Sequence, residues 1–331
     1  MNVPPKEFIR VMPQRLHDFA LALFKKAGMP EEDAQLMANL LVASDLRGVF
    51  SHGTRQAPGY IWYFRNGHLN LRPRVGIVDE TETTAVLDGD GGLGYFPCWR
   101  AAHMVVEKAK KQGVGVAVTR NHGHFGAAGH YSRVAAAADC VGIAMSAVRM
   151  SFSPEASIMG VGAGSPISIA VPTGSEPPFV PDMGLYFLHQ YGPRDVLQET
   201  FSKMPDVFFK FLGLGVTCQV LAGTLAGIYS EDLKKARHYE GANQGSFILA
   251  IDVSRFMPVD EFKRQMDWYV AGAQKSRPFP GQERAVLPGG LEWEREREYT
   301  KAGIPVSPEH QNGLDACAKE LGLEQLVIGN Q

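Results

Sequence analysis

The feature that most restricts the fold is a run of short apolar segments beginning near residue 84. "TTAVLDG", "GVGVAVT", "VGIAMSAV" and "PISIAVP" have the length and composition of β-strands. Between them lie "FPCWRAAHMVVEKAKKQG" and "YSRVAAAADC", which read as helices. Strands alternating with helices predict an α/β sheet rather than a bundle or a sandwich. "GSFILAIDVSRF" adds a further strand, and the spacing after it predicts a helix over 258–273.

Before this region, residues 6–47 read as two amphipathic helices separated by "GMPEED". Gly28 ends the first, and Pro30 with two acids opens the second. A third helix is expected to start at Ser51, because serine is a good N-cap, and to carry "YIWYF" as core packing. "PTGSEPPFVPDMG" (172–184) and "FPGQERAVLPGG" are loops by their proline and glycine content, a helix is expected near 194–203, and two polar helices finish the chain. The expected organisation is a helical segment over 1–75 that packs with 206–331, a central α/β cofactor-side region over 76–205, and a C-terminal α/β region over 206–331.

Composition narrows the function classes. Of 331 residues 45% are hydrophobic and 21% charged, the net charge is −2 and no long run of one sign occurs, so neither nucleic acid nor a membrane surface is an expected partner. Cys98, Cys140, Cys218 and Cys317 are far apart and form no CxxC pair, which points to buried reduced thiols in a cytoplasmic protein. No tightly spaced ligand set predicts a metal. The N-terminal "MNVPPKEFIRVMPQRL" has no uninterrupted apolar core, so it does not read as a signal peptide. The most apolar stretch, 207–229, contains Lys210 and Gln219 and is expected to be a buried helix rather than a membrane span.

Three motifs carry possible chemistry. "GDGGLG" (Gly89–Gly94) satisfies the GxGxxG pattern between a strand and a helix, but the next strand ends in Arg120 and Asn121 rather than in an acid for the ribose hydroxyls, which favours a tight glycine turn. "DLRGVFSHGTRQ" places Ser51, His52 and Arg55 together. An arginine there can clamp a carboxylate and an imidazole can hold or protonate a substrate, while a cap, an exposed histidine and a surface arginine are the plainer alternative. "RNHGHFGAAGHYS" sets three histidines at a strand end before a helix, where α/β folds build their sites, and Gly123 and Gly126 flank His124. The residue types alone do not say which histidine acts.

Taken together, "DLRGVFSHG", "NHGHFGAAGHYS", "FKFLGLGVTCQVLAGTLAG", "GSFILAIDVSRF" and "LPGGLEWEREREYTKAGIPV" resemble, in order and spacing, the malate/L-lactate dehydrogenase family. The similarity spans roughly 6–172 and 207–325. It implies a family-specific non-Rossmann α/β fold, with a mixed sheet and helical N- and C-terminal segments, that is usually dimeric. It also implies NAD or NADP as cofactor and, as substrates, small 2-hydroxy or 2-oxo acids, ureidoglycolate, sulfolactate, diketogulonate or cyclic imino acids. His124 matches the family's catalytic acid/base. His52, with Ser51 beside it, matches the substrate-side histidine, and Arg55 is the carboxylate clamp, although the family arginine often falls one position later, at Gln56. Gly126, Ser165, Pro166, Asp182 and Lys210 are the cofactor-side positions, and "GDGGLG" becomes an ordinary turn of this fold.

The sequence also departs from the family. "GTNP" reads "GAGSP" at Gly162–Pro166, only 27 residues separate Asp182 from Lys210, and Phe211, Gln219, Ser246 and Gly290 replace usual residues. These differences fall on cofactor and dimer regions. The resemblance therefore implies a hydride-transferring oxidoreductase. The alternative is a non-redox lyase or isomerase, or an inactive binding homologue, that kept the histidines and lost the cofactor site.

Overall fold

The computed structural model describes residues 3–155, 157–162, 165–185 and 194–326. The chain folds as two units, Pro73–Ser276 and a second made of Met1–Arg72 with Arg277–Gln331.

The second unit opens with β1 (Ile9–Val11), where helix was expected. The reason is tertiary: its pairing partner lies near the other end of the chain and leaves no local signal. α1 (Pro13–Lys26) and α2 (Glu31–Leu46) follow, separated at Gly28, whose φ of +97° suits glycine. Glu31, Glu32 and Asp33 occupy the first turn of α2, where the helix dipole favours acids. α3 (Ala57–Arg65) starts six residues later than the helix expected from Ser51. Phe50–His52 and Thr54–Gln56 are instead two 3₁₀ turns, and the Ser51 hydroxyl lies 2.9 Å from His52 Nδ1 rather than capping a helix.

In the larger unit, β2 (Gly76–Glu80) and β3 (Thr84–Asp88) lead to α4 (Tyr95–Gln112), β4 (Val114–His122), α5 (Gly129–Ala137) and β5 (Cys140–Val148). β6 (Pro166–Ala170), β7 (Asp182–Gly184), α6 (Arg194–Lys203) and α7 (Pro205–Cys218) come next. A π-helical turn (Gln219–Thr224) extends α7, and α8 (Glu231–Ala236), β8 (Gln244–Asp252) and α9 (Val259–Gln274) complete the unit. The seven strands form one mixed sheet in the order β2-β3-β4-β8-β5-β6-β7, with β3 and β4 parallel and the other neighbours antiparallel. Because β8 pairs with both β4 and β5, residues 206–276 belong with the sheet, and the break expected at 206 falls after Ser276.

Each face of the sheet has its own core. Ala117, Ala144 and Ile248 pack on α4 and α5, whereas Val118, Met145, Ala147 and Phe247 pack on α7 and the π turn. Only a third of the apolar α7–π segment is buried, so the expectation of a buried helix holds for one side alone. It has the length and composition to cross a membrane, yet one side packs on the sheet while Phe209, Val216, Val220 and Leu225 are exposed. All four cysteines are free and buried.

The chain returns to the second unit with α10 (Gly290–Ala302), β9 (Ile304–Val306) and α11 (Pro308–Glu320). β9 pairs antiparallel with β1, Arg10 donates to the Gly303 carbonyl at 2.8 Å, and Ser307 caps α11 by accepting from the His310 N–H.

Candidate active site

The end of β4 and the turn after it are built by a change of side. Asn121 adopts φ +54°, a left-handed conformation that asparagine tolerates better than most residues, and the β4–β8 register shifts between Thr119 and His122. The bulge returns His122 to the face that carries Thr119. His122 is fully buried. Its Nδ1 lies 2.7 Å from the Gly123 carbonyl, which accepts its proton, so Nε2 is the acceptor for the Thr119 hydroxyl at 2.8 Å. Cys98 and Ser246 complete this buried group, with the thiol 3.4 Å from Thr119 Oγ1 and 3.3 Å from Ser246 Oγ. Burial pushes His122 down to about 4 and the Cys98 thiol up to about 12, so both are neutral. His122 is therefore a brace beneath the turn.

The glycines of "GDGGLG" face this turn. The Gly89, Gly91 and Gly94 N–H groups donate to the carbonyls of Arg120, Asn121 and His124, and the Gly123 N–H donates to the Gly92 carbonyl, at 2.8–3.0 Å. A Cβ on Gly94 would lie 2.6 Å from Phe125 Cβ and 2.7 Å from His122 Nδ1. The motif is glycine-rich because two backbones meet there, and its N–H groups are spent on protein carbonyls rather than on a pyrophosphate. Tyr131 donates to the Phe125 carbonyl, and His130 is buried beside Tyr95 and Tyr131. Of the three histidines only His124 is half-buried, and its backbone is fixed between Gly123 and Phe125 by the Gly94 N–H on its carbonyl.

In the other unit, Ser51, His52 and Arg55 gather on the two 3₁₀ turns. The turns rest on Asp45, a wholly buried carboxyl whose Oδ2 accepts from the Thr54 N–H at 2.8 Å and the Thr54 hydroxyl at 2.6 Å. The Thr54 hydroxyl in turn lies 3.0 Å from Nε2 of buried His310. A Cβ on Gly53 would sit 1.7 Å from Asp45 Oδ1, so the glycine of "SHG" is required by the acid beneath it. Burial pushes Asp45 up to about 7, against the Thr54 hydrogen bonds, and burial followed by the Arg55 charge holds His310 down to about 4. Burial also lowers the His52 pKa, which favours the neutral imidazole. Arg55 makes an ion pair with Glu309 at 2.6 Å, both side chains being well exposed.

The cofactor-side positions belong to the sheet unit. Gly126 (φ +77°) packs against the Tyr95 ring and hydroxyl. Pro166 opens β6 opposite Gly184 of β7. Asp182 Oδ2 accepts from the Gly129 N–H at 2.9 Å and so already occupies the positive end of α5. Lys210 is exposed on α7, a helix that meets the segment before β6 where Gly162 touches Gly215. Ser165 is fully buried, and its hydroxyl has no hydrogen-bond partner among the described residues. Ala163 and Gly164 of "GAGSP" and part of the shortened 182–210 segment lie outside the described residues. Asp45, Thr54, His310, Tyr95 and Tyr131 are supports to which sequence reasoning gave no role. Asp45, Thr54 and Tyr131 lie inside the quoted motifs, whereas Tyr95 and His310 lie outside them.

The chain can now be compared with known proteins. The solved malate dehydrogenase of Pyrococcus horikoshii superposes with a TM-score of 0.83 at 30% identity, covering 98% of this chain and 99% of that one. The L-sulfolactate dehydrogenase of Methanocaldococcus jannaschii is 31% identical over 340 residues, 94% of this chain and 97% of that protein. Hydroxycarboxylate dehydrogenase B of Escherichia coli is 24% identical over 95% of both chains. Fold and likeness together define an α/β dehydrogenase that lacks the doubly wound dinucleotide fold. The chain belongs to the malate/L-lactate dehydrogenase family, whose model matches residues 11–186 and 192–315.

Proposed function

We propose that this protein is a nicotinamide-dependent oxidoreductase acting on a small 2-hydroxy or 2-oxo carboxylate (or a cyclic imino acid), with His124 as the group that moves the proton. The observation that carries this reading is the geometry of the turn: the one half-buried histidine of three stands on a backbone locked to Gly89–Gly94 and braced by neutral His122. A fixed imidazole can give a proton to a carbonyl oxygen and take it back in the reverse direction. NAD or NADP, when bound, supplies or accepts the hydride. The buried Ser165 hydroxyl, which needs a hydrogen-bond partner, supports a polar ligand on the cofactor side. Exposed Lys210 suits a phosphate, Asp182 a ribose hydroxyl, and Gly126 and Pro166 shape the backbone. The resemblance assigns His52, held toward its neutral form by burial, and Ser51 the role of orienting the reacting oxygen. Arg55 can exchange its exposed pairing with Glu309 for a substrate carboxylate, because a surface pair of this kind is worth only about 0–1 kcal/mol. Relatives named for malate, sulfolactate and hydroxycarboxylates support a small acid as substrate. The same reading includes a cytoplasmic homodimer, supported by four unpaired thiols and the exposed apolar side of α7.

The test is a titration with NADH and NADPH followed by fluorescence or thermal shift. Binding of either at sub-millimolar concentration is expected, and His124→Ala should abolish turnover while leaving that binding nearly intact. Failure of both cofactors to bind would move the protein to the non-redox reading. A variant with full turnover would remove the role of His124.

A further inference from the structure

The bulge that returns His122 to the α4 face leaves Arg120 on the opposite face, the side covered by α7 and the π turn. There Arg120, Arg149, Lys234 and Arg237 line one small, open cleft together with Asn121 and Asn243. Two carboxylates answer these four cations. Asp88 lies 3.9 Å from Arg120 Nε, and Glu231 lies 3.3 Å from Arg149 and 3.7 Å from Lys234. The local balance is two positive charges in excess. Arg237 is half-buried and makes no hydrogen bond or ion pair among the described residues. Arg120 Nε is buried with no hydrogen-bond acceptor, and Asn121 Oδ1 is buried with no donor. A buried N–H without an acceptor is costly, so the cleft as it stands lacks a hydrogen-bonding group.

We propose that this cleft binds the dianionic phosphoryl group of a small molecule or free phosphate. A dianion matches the excess charge. Its oxygens accept from the guanidinium forks of Arg149 and Arg237 and from Arg120 Nε, in the paired geometry that arginine offers to phosphate. A protonated phosphate oxygen or an ordered water donates to Asn121 Oδ1. Arg120 and His122 are two residues apart but serve opposite faces of the sheet, so the cleft does not include the buried His122 group.

The experiment is calorimetric titration of the intact protein with inorganic phosphate and with methyl phosphate, against chloride at equal ionic strength. Phosphate-specific binding is expected, and whichever titrant binds more tightly identifies the source, an ester or free phosphate. Arg237→Ala should weaken it at least tenfold, because it removes a cation that no protein group uses. Arg237→Lys should fall between, and serves if the alanine variant does not fold. Saturating NADH should leave the affinity for phosphate unchanged. The proposal is overturned if chloride and phosphate behave alike, if a dicarboxylate binds and phosphate does not, if NADH displaces phosphate, or if Arg237→Ala keeps full affinity. It is also overturned if Arg237→Ala only weakens self-association, since the cations would then serve a second copy of the chain.

Discussion

Asp45 and His310 sit at the two ends of one hydrogen-bonded chain through Thr54 and respond to pH in opposite directions. The Asp45 carboxyl is raised from 3.8 to about 7, so between those values the folded state holds a proton that the unfolded chain has released. Its contribution to stability is complete below about pH 4 and is lost as pH rises to about 7. His310, depressed from 6.5 to about 4, contributes stability that is complete above pH 6.5 and is lost as pH falls to about 4. In Asp45→Asn the amide oxygen still accepts from Thr54 but nothing ionises. Its melting temperature relative to wild type should therefore rise as pH goes from 4.5 to 7.5. A constant difference across that range would mean that Asp45 does not titrate there. Arg55 supports a second prediction. Arg55→Gln should cost less than about 1 kcal/mol in stability, since its partner Glu309 is exposed, yet raise KM far more than it lowers kcat if the guanidinium holds the substrate carboxylate. Equal losses in both constants would instead place Arg55 in the chemical step.

Among the elements, the glycine turn and the histidine turn act as one piece. Gly94→Ala puts a methyl carbon against Phe125 and His122, so about 1–3 kcal/mol of destabilisation is expected, with turnover falling at least tenfold as His124 is displaced. Gly59→Ala is the control. Nothing lies within 4 Å of its Cβ position on α3, and a gain of about 0.5–1 kcal/mol is expected on helix propensity. If Gly94→Ala loses no turnover in steady-state assays, the two turns are not coupled. Much of this was legible in the sequence. The strands "TAVLD", "VGVAVTRNH", "CVGIAMSAV" and "GSFILAID" follow their apolar runs, and Gly28 and the acids after it mark the α1–α2 break. What could not be read depended on partners distant in sequence. β1 exists because of β9, the turns around Ser51 are shaped by Asp45 rather than by a serine cap, and His310 meets Thr54 from 256 positions away. The candidate site residues rest on motif resemblance, while the hydrogen bonds that support them depend on contacts no motif specifies.

At the scale of the whole molecule, the α7–π segment carries apolar side chains that its own unit leaves exposed. Phe209 and Leu225 are 65% and 59% exposed, and such residues on one face mark a contact with another surface. If that surface is a second copy, Leu225→Glu should turn a dimer into a monomer in sedimentation with little change in far-UV circular dichroism. An unaltered mass would assign the dimer contact elsewhere. The topology has a further consequence, for how the molecule forms. Among the described residues β8 is the strand that joins β4 to β5, and its Ser246 meets His122 across 124 positions. During synthesis the β2-β3-β4 and β5-β6-β7 pieces wait as separate half-sheets with open edges until that strand leaves the ribosome. Such long-range closure is slow and leaves the nascent chain open to edge-to-edge association. The histidine turn is thus among the last parts of its unit to become complete, because β4 gains its antiparallel neighbour, and His122 its contact with Ser246, only when β8 arrives.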